Sequence, residues 1–185
     1  MTNRIDLFML VHKGIRWWLG TVNAVLGATD FETSGSVAAL EAVDELFVAL
    51  EAHALHEDTF IAPVVAAHAP ERAAAWAAEH RRLEHVEAAL RDHVATLRAV
   101  GPSHPTARAT GLALYRGFNR FVAETLAHLD EEETELMPLL WATCSDAELV
   151  AIMTSFKARF GAEAAGFFRR AAPAYAEPER ALLGV

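Results

Sequence analysis

The stretch His53-Ala54-Leu55-His56-Glu57-Asp58-Thr59-Phe60-Ile61-Ala62-Pro63-Val64-Val65 has a counterpart in His128-Leu129-Asp130-Glu131-Glu132-Glu133-Thr134-Glu135-Leu136-Met137-Pro138-Leu139-Leu140. A shift of 75 residues carries His53, Glu57, Asp58, Thr59 and Pro63 onto His128, Glu132, Glu133, Thr134 and Pro138. The shared pattern is H-x-x-x-E-[DE]-T-x-x-x-P followed by two apolar residues. On a helix, positions i and i+4 differ by roughly 40° in direction, so His and Glu of each copy share a face. That face is apolar: the first pair stands between Leu50 and Phe60, the second between Phe121 and Leu136. Each proline lacks an N–H and frees the carbonyl four residues back, that of Thr59 or Thr134, which marks a bend in both helices.

Outward from the repeat, helical periodicity dominates and strand alternation is absent. The first helix is expected from about Asn3–Asp6 to Gly27, with Ile5, Phe8, Met9, Ile15, Leu19 and Val22 inward. Ala28–Ser36 reads as a loop. The second helix runs from Ser36 to about Ala67, and the third from Pro70 to about Val100. Gly101-Pro102-Ser103-His104-Pro105 breaks the chain before a fourth helix over about Thr106–Ala142. Ser145-Asp146-Ala147-Glu148 has the capping-box pattern and opens a fifth helix. The tail from Ala171 has no strong period. These elements predict an all-α fold: an antiparallel four-helix bundle over residues 1–143, with a C-terminal helix and tail over 144–185. The extra helix is expected to cover the bundle or to form a homodimer contact.

The chain has 185 residues, 53% of them hydrophobic and 22% charged, enough for one sizeable core. Lys and Arg number 16 against 25 acids, a net charge of −9, which argues against a nucleic-acid partner. No run of apolar residues is long and clean enough to span a membrane, and no leader pattern opens the chain. The single cysteine, Cys144, has no partner for an internal disulfide. The expected compartment is the cytoplasm.

The acids on the apolar faces decide the chemistry. A buried carboxylate costs several kcal/mol unless a positive group compensates it, and Arg16, one turn after His12, is the best basic candidate near these stripes. A metal cation is the natural solution. The first and third helices each add one inward histidine, His12 and His80, so His12, His53, His80 and His128 supply one imidazole per helix beside Glu57 and Glu132. This donor set suits iron, zinc or manganese rather than calcium. A lone histidine on an apolar face is more often a core residue bonded to a carbonyl. One per helix, two of them in repeated contexts, is a different observation. His56, His68, His85, His93 and His104 fall off the stripes or in loops and read as solvated. The aromatic residues near the stripe, including Trp76, read first as core.

These residues resemble the hemerythrin-like (HHE cation-binding) domain family over about residues 5–142. The resemblance implies a non-haem di-iron centre with a position for O2 or a similar small ligand. Glu57 and Glu132 would bridge, and the four histidines would be terminal ligands. Oxygen carriers of the family place H-x-x-x-H on the third helix, whereas His80 is followed by Glu84 and preceded one turn earlier by Trp76. One imidazole is therefore missing, or replaced by Glu84 or water. Carriers also place the fourth-helix acid five residues after its histidine, here Glu133. Glu132 is preferred, because five residues on a regular helix turn about 140° away; Glu135 is a further candidate. Fewer nitrogens weaken the case for reversible O2 carriage. The expected task is sensing or handling O2, peroxide, NO or iron. The alternatives are an enzyme turning over peroxide or NO, with Glu84 or Tyr115 as proton donor, and a zinc or mononuclear bundle with a structural role.

Overall fold

The computed structural model describes residues 4–185, which form helices and no strand. The helices are α1 (Met9–Ala28), α2 (Ser36–Phe60), α3 (Ala62–His68), α4 (Pro70–Val100), α5 (Ala107–Glu131), α6 (Met137–Thr143), α7 (Asp146–Arg170) and α8 (Glu177–Leu183). Four antiparallel rods make the bundle: α1, α2 with α3, α4, and α5 continued into α6. No single helix among the described residues is long and apolar enough to cross a membrane.

The first rod starts later than the periodicity suggests. Asn3 lies outside the described residues, and Arg4 to Phe8 are not helical. Asp6 explains the delay: its Oδ1 accepts hydrogen bonds from the backbone N–H groups of Phe8 and Met9, at 2.9 and 2.8 Å. These are donors that a helix start leaves without intrahelical partners. Met9, expected inward, points outward and is 47% exposed, while Phe8 is buried.

Both prolines leave their mark. The second rod breaks at Ile61, between α2 and α3, with Pro63 in the first turn of the new helix. Thr59 Oγ1 donates to the carbonyl of Leu55 rather than to a group freed by the proline. In the fourth rod the disturbance is a π-turn over Glu132–Leu136, where Met137 N–H donates to the carbonyl of Glu132, five residues back. Pro138 follows in the first turn of α6. Such π-turns are rare and recur at functional sites.

The core is two apolar plugs with a polar layer between them. Ile15, Leu19, Leu46, Phe47, Leu114 and Phe118 belong to one plug. Phe8, Ile61, Trp76, Leu136, Met137 and Leu140 belong to the other. Every rod passes from one to the other through a buried titratable residue: His12, Glu57, His80, and His128 with Glu132. Close packing above and below removes the layer from bulk water.

Ser145 caps α7 with the capping box read in the sequence: its side chain accepts from Glu148 N–H, and Glu148 accepts from Ser145 N–H. The helix contacts α1 and α2. The tail, without a strong sequence period, folds into a 3-10 turn and α8. It is pinned by Tyr175, which is buried against α1. A Cβ at Gly14 would stand 2.3 Å from Tyr175 Oη, so glycine there is a requirement of close approach. Gly14→Ala is expected to eject Tyr175 and loosen the tail, at an overpacking cost of about 1–3 kcal/mol. Limited trypsin digestion checks this: cleavage after Arg169 and Arg170 should accelerate while the four rods stay protected.

Candidate metal centre

All six residues predicted as ligands meet in the polar layer. His12 comes from α1, His53 and Glu57 from α2, His80 from α4, His128 from α5, and Glu132 from the π-turn. Two four-residue groups can each hold an ion: His12, His53, Glu57 and Glu132; and Glu57, His80, His128 and Glu132. Within each group the potential ligand atoms lie within 4.8 Å of one another. Glu57 and Glu132 belong to both.

The two oxygens of each shared carboxylate face different groups. Glu57 Oε1 stands 3.2 Å from His53 Nε2 and 3.6 Å from His12 Nε2, whereas its Oε2 stands 3.6 Å from His80 Nε2. Glu132 Oε2 stands 3.4 Å from His12 Nε2, whereas its Oε1 stands 3.0 Å from His128 Nε2 and 3.7 Å from His80 Nε2. The acids are 3% and 0% exposed. Nε2 of His12, His53 and His80, both oxygens of Glu57, and Oε2 of Glu132 are buried without hydrogen-bond partners. An orphaned buried polar atom costs about 1–3 kcal/mol. Six converging on one spot fit a cation-binding set of nitrogen and oxygen donors.

The outward nitrogens are held by a second ring of acids. His12 Nδ1 is 3.0 Å from Glu133 Oε1, His80 Nδ1 is 3.1 Å from Asp58 Oδ1, and His128 Nδ1 is 3.2 Å from Glu79 Oε2. Arginines hold two of these acids in turn: Arg16 donates to Glu133 at 2.6 Å and Arg72 to Glu79 at 3.4 Å. A carboxylate on Nδ1 fixes ring orientation and leaves Nε2 free to face the interior. Among the described residues no acid backs His53 in this way.

Imidazoles and carboxylates shift one another within the layer. Burial pulls the His12 and His80 imidazoles down, but the surrounding carboxylates outweigh it and hold both up at about 9. His128 is also raised, with Glu132 outweighing burial. His53 is lowered well below the ordinary range by burial and by the facing His12. Burial and the neighbouring Glu132 push the Glu57 carboxyl up. Glu132 is held low in spite of burial, because the imidazoles of His128, His80 and His12 face it.

The π-turn settles how neighbouring acids divide their roles. With the regular helix interrupted, Glu132 enters the layer while Glu133 reaches the outer side of His12. Glu135 turns away, is 61% exposed on its side chain and stands 3.7 Å from Arg72. One turn on either side of His80, Glu84 is exposed at the rim and Trp76 is buried. The Trp76 indole N–H donates to Glu132 Oε1 at 2.6 Å. Trp76 is thus more than core, and its spacing from His80 was the sequence signal for it. His56, expected to be solvated, is partly buried beside α7. Burial lowers its imidazole. His68, His85 and His104 are exposed and His93 is partly so. Tyr115 stands against Gly27, 3.3 Å from the position of a Cβ there.

A cavity of about 220 Å³ between α2, α4 and α5 leads to His53, Glu57, His80 and His128, with Glu51, Asp58, Glu84 and Glu87 among its lining.

Fold and polar layer together define a four-helix bundle with a cation-binding interior. The model of the hemerythrin HHE cation-binding domain matches residues 3–140, and the chain belongs to that family. Comparisons with curated proteins and with solved structures give no match. The match ends before α7, so the C-terminal helix and tail lie beyond the matched residues.

Trp76→Phe keeps the aromatic volume and removes the donor to Glu132. Loss of such an outer contact is expected to weaken metal binding by about 10–100-fold with helicity intact, as a chelator-competition titration would show. Glu87 provides a pH test. Burial pushes its carboxyl up to about 7, against the pull of Arg91. A raised carboxylate value means that its contribution to stability is full below about 4.5 and is lost as pH rises through about 7. Glu87→Gln should melt close to the parent near pH 4 and above it near pH 8.

Proposed function

We propose that the chain carries a non-haem di-iron centre that senses or handles a small ligand, O2, peroxide or NO, or iron itself. His12 and His53 would hold one ion, His80 and His128 the other, and Glu57 and Glu132 would bridge them. The observation that carries this reading is the division of each carboxylate: its two oxygens face different imidazoles, those of His12 or His53 on one side and those of His80 or His128 on the other. A single-ion site gives no reason for that arrangement. A pair of irons, once bound, supplies redox chemistry and coordination positions for a small ligand, since two nitrogens and two carboxylate oxygens leave each ion unsaturated.

The rest is done by the chain's own residues. Glu133, Asp58 and Glu79 orient the imidazoles, and Trp76 orients Glu132. The apolar plugs exclude bulk water, and the acid-lined cavity gives a cation a favourable approach. Binding is favoured over turnover because neither proposed proton donor is well placed. Glu84 is exposed at the rim, and Tyr115 packs against Gly27.

Anaerobic reconstitution with ferrous iron followed by oxidation tests the reading. The expected product has near-ultraviolet bands of an oxo-bridged pair that shift on adding azide. A colourless protein that prefers zinc under competition would favour the structural alternative, and sustained loss of added peroxide would favour the enzyme. His53→Ala combined with His128→Ala removes one imidazole from each group. It should abolish stoichiometric iron binding while far-ultraviolet circular dichroism retains most of its helical signal; full loading in that variant would refute the ligand assignment.

A further inference from the structure

The imidazoles of the polar layer are not held alike. In the group of Glu57, His80, His128 and Glu132, both rings are fixed from outside: Asp58 stands 3.1 Å from His80 Nδ1, and Glu79 stands 3.2 Å from His128 Nδ1. In the group of His12, His53, Glu57 and Glu132, only His12 is fixed in this way, by Glu133 at 3.0 Å. The carboxylate that meets His53 is Glu57, on the inner side, 3.2 Å from Nε2.

The surroundings of His53 differ as well. One cavity lies between α2, α4 and α5, and a second lies where α7 passes over α1 and α2. His53 and Glu57 border both. Glu57 is anchored, since its two oxygens face imidazoles on either side. His53 is 12% exposed, whereas His12 is 0% exposed and borders neither cavity. Among the described residues His53 is therefore the layer imidazole that has space beside it and no carboxylate behind it.

A carboxylate behind a ligating imidazole fixes the ring and raises its basicity, and loss of such a partner costs about 10–100-fold in metal affinity. An unfixed ring also gives up more freedom when it is ordered. We propose that the layer takes up its ions in a set order: the position of His80 and His128 fills first and empties last, and the position of His12 and His53 is the labile one, opened when the His53 ring swings into an adjoining cavity. The order rests on the two-ion reading above. Shared carboxylates and repulsion between cations separate the two steps in any case. Which imidazoles govern which step is what the unequal support of the rings decides.

Titration of the apoprotein with cobalt(II) against a competing chelator tests this, with native mass spectrometry counting the bound ions. The parent is expected to take up two equivalents in two steps. His53→Ala should leave the first step unchanged and weaken the second by about tenfold or more, whereas His128→Ala should weaken the first by about tenfold or more. Asp58→Ala and Glu79→Ala remove only the outer carboxylates. Each should weaken the first step by about 10–100-fold with circular dichroism unchanged. If His53→Ala weakens the first step as much as His128→Ala does, the order is overturned and the two-ion reading stands. Two unchanged steps in His53→Ala would also overturn it. Uptake of a single equivalent by the parent would overturn the two-ion reading and the order with it.

Discussion

Two carboxylates, Glu57 and Glu132, are carried into the interior of a helical bundle and closed off above and below by apolar side chains. An ionised acid in such a place is costly unless positive charge meets it; imidazoles from all four rods surround the pair, and those of His12, His80 and His128 are held toward the charged form. Much of the rest of the bundle answers this constraint. The histidines must bring nitrogen to the acids, so their outer nitrogens are tied to Glu133, Asp58 and Glu79. Two of those acids need restraint as well, and Arg16 and Arg72 supply it. Order thus passes from partly exposed arginines inward to atoms that have no hydrogen-bond partner of their own.

The helix irregularities serve the same end. A regular α-helix carries Glu132 but not Glu133 onto the face of His128. The π-turn changes the direction of the chain at that point, so that one acid enters the layer and the next supports His12 from outside. Four-helix bundles tolerate such departures because the apolar plugs on both sides fix the rods independently of the layer.

Much of this was legible in the sequence, for physical reasons that can be named. The repeat around His53 and His128 was visible because helical spacing converts i and i+4 into a shared face. His12 and His80 stood out because they interrupted apolar stripes. The capping box at Ser145 and Glu148 is local chemistry and is formed as written. Other features depended on tertiary context. Asp6 captures the N–H groups of Phe8 and Met9 and delays α1, which turns Met9 outward. The π-turn has no distinctive composition, so Glu133 could not be placed by assuming a regular helix. Trp76 read as core because its hydrogen-bonding partner is 56 residues away in sequence. His56 read as solvated because nothing in the bundle pattern foretold that α7 would lie across it.

On the reading proposed above, Glu57 and Glu132 join two ions rather than serve one. Mössbauer spectroscopy of the protein reconstituted with iron-57, recorded in an applied magnetic field, tests it most directly. The ferric sample is expected to behave as a diamagnetic, antiferromagnetically coupled pair. A spectrum of isolated high-spin ferric ions with full magnetic splitting would contradict it.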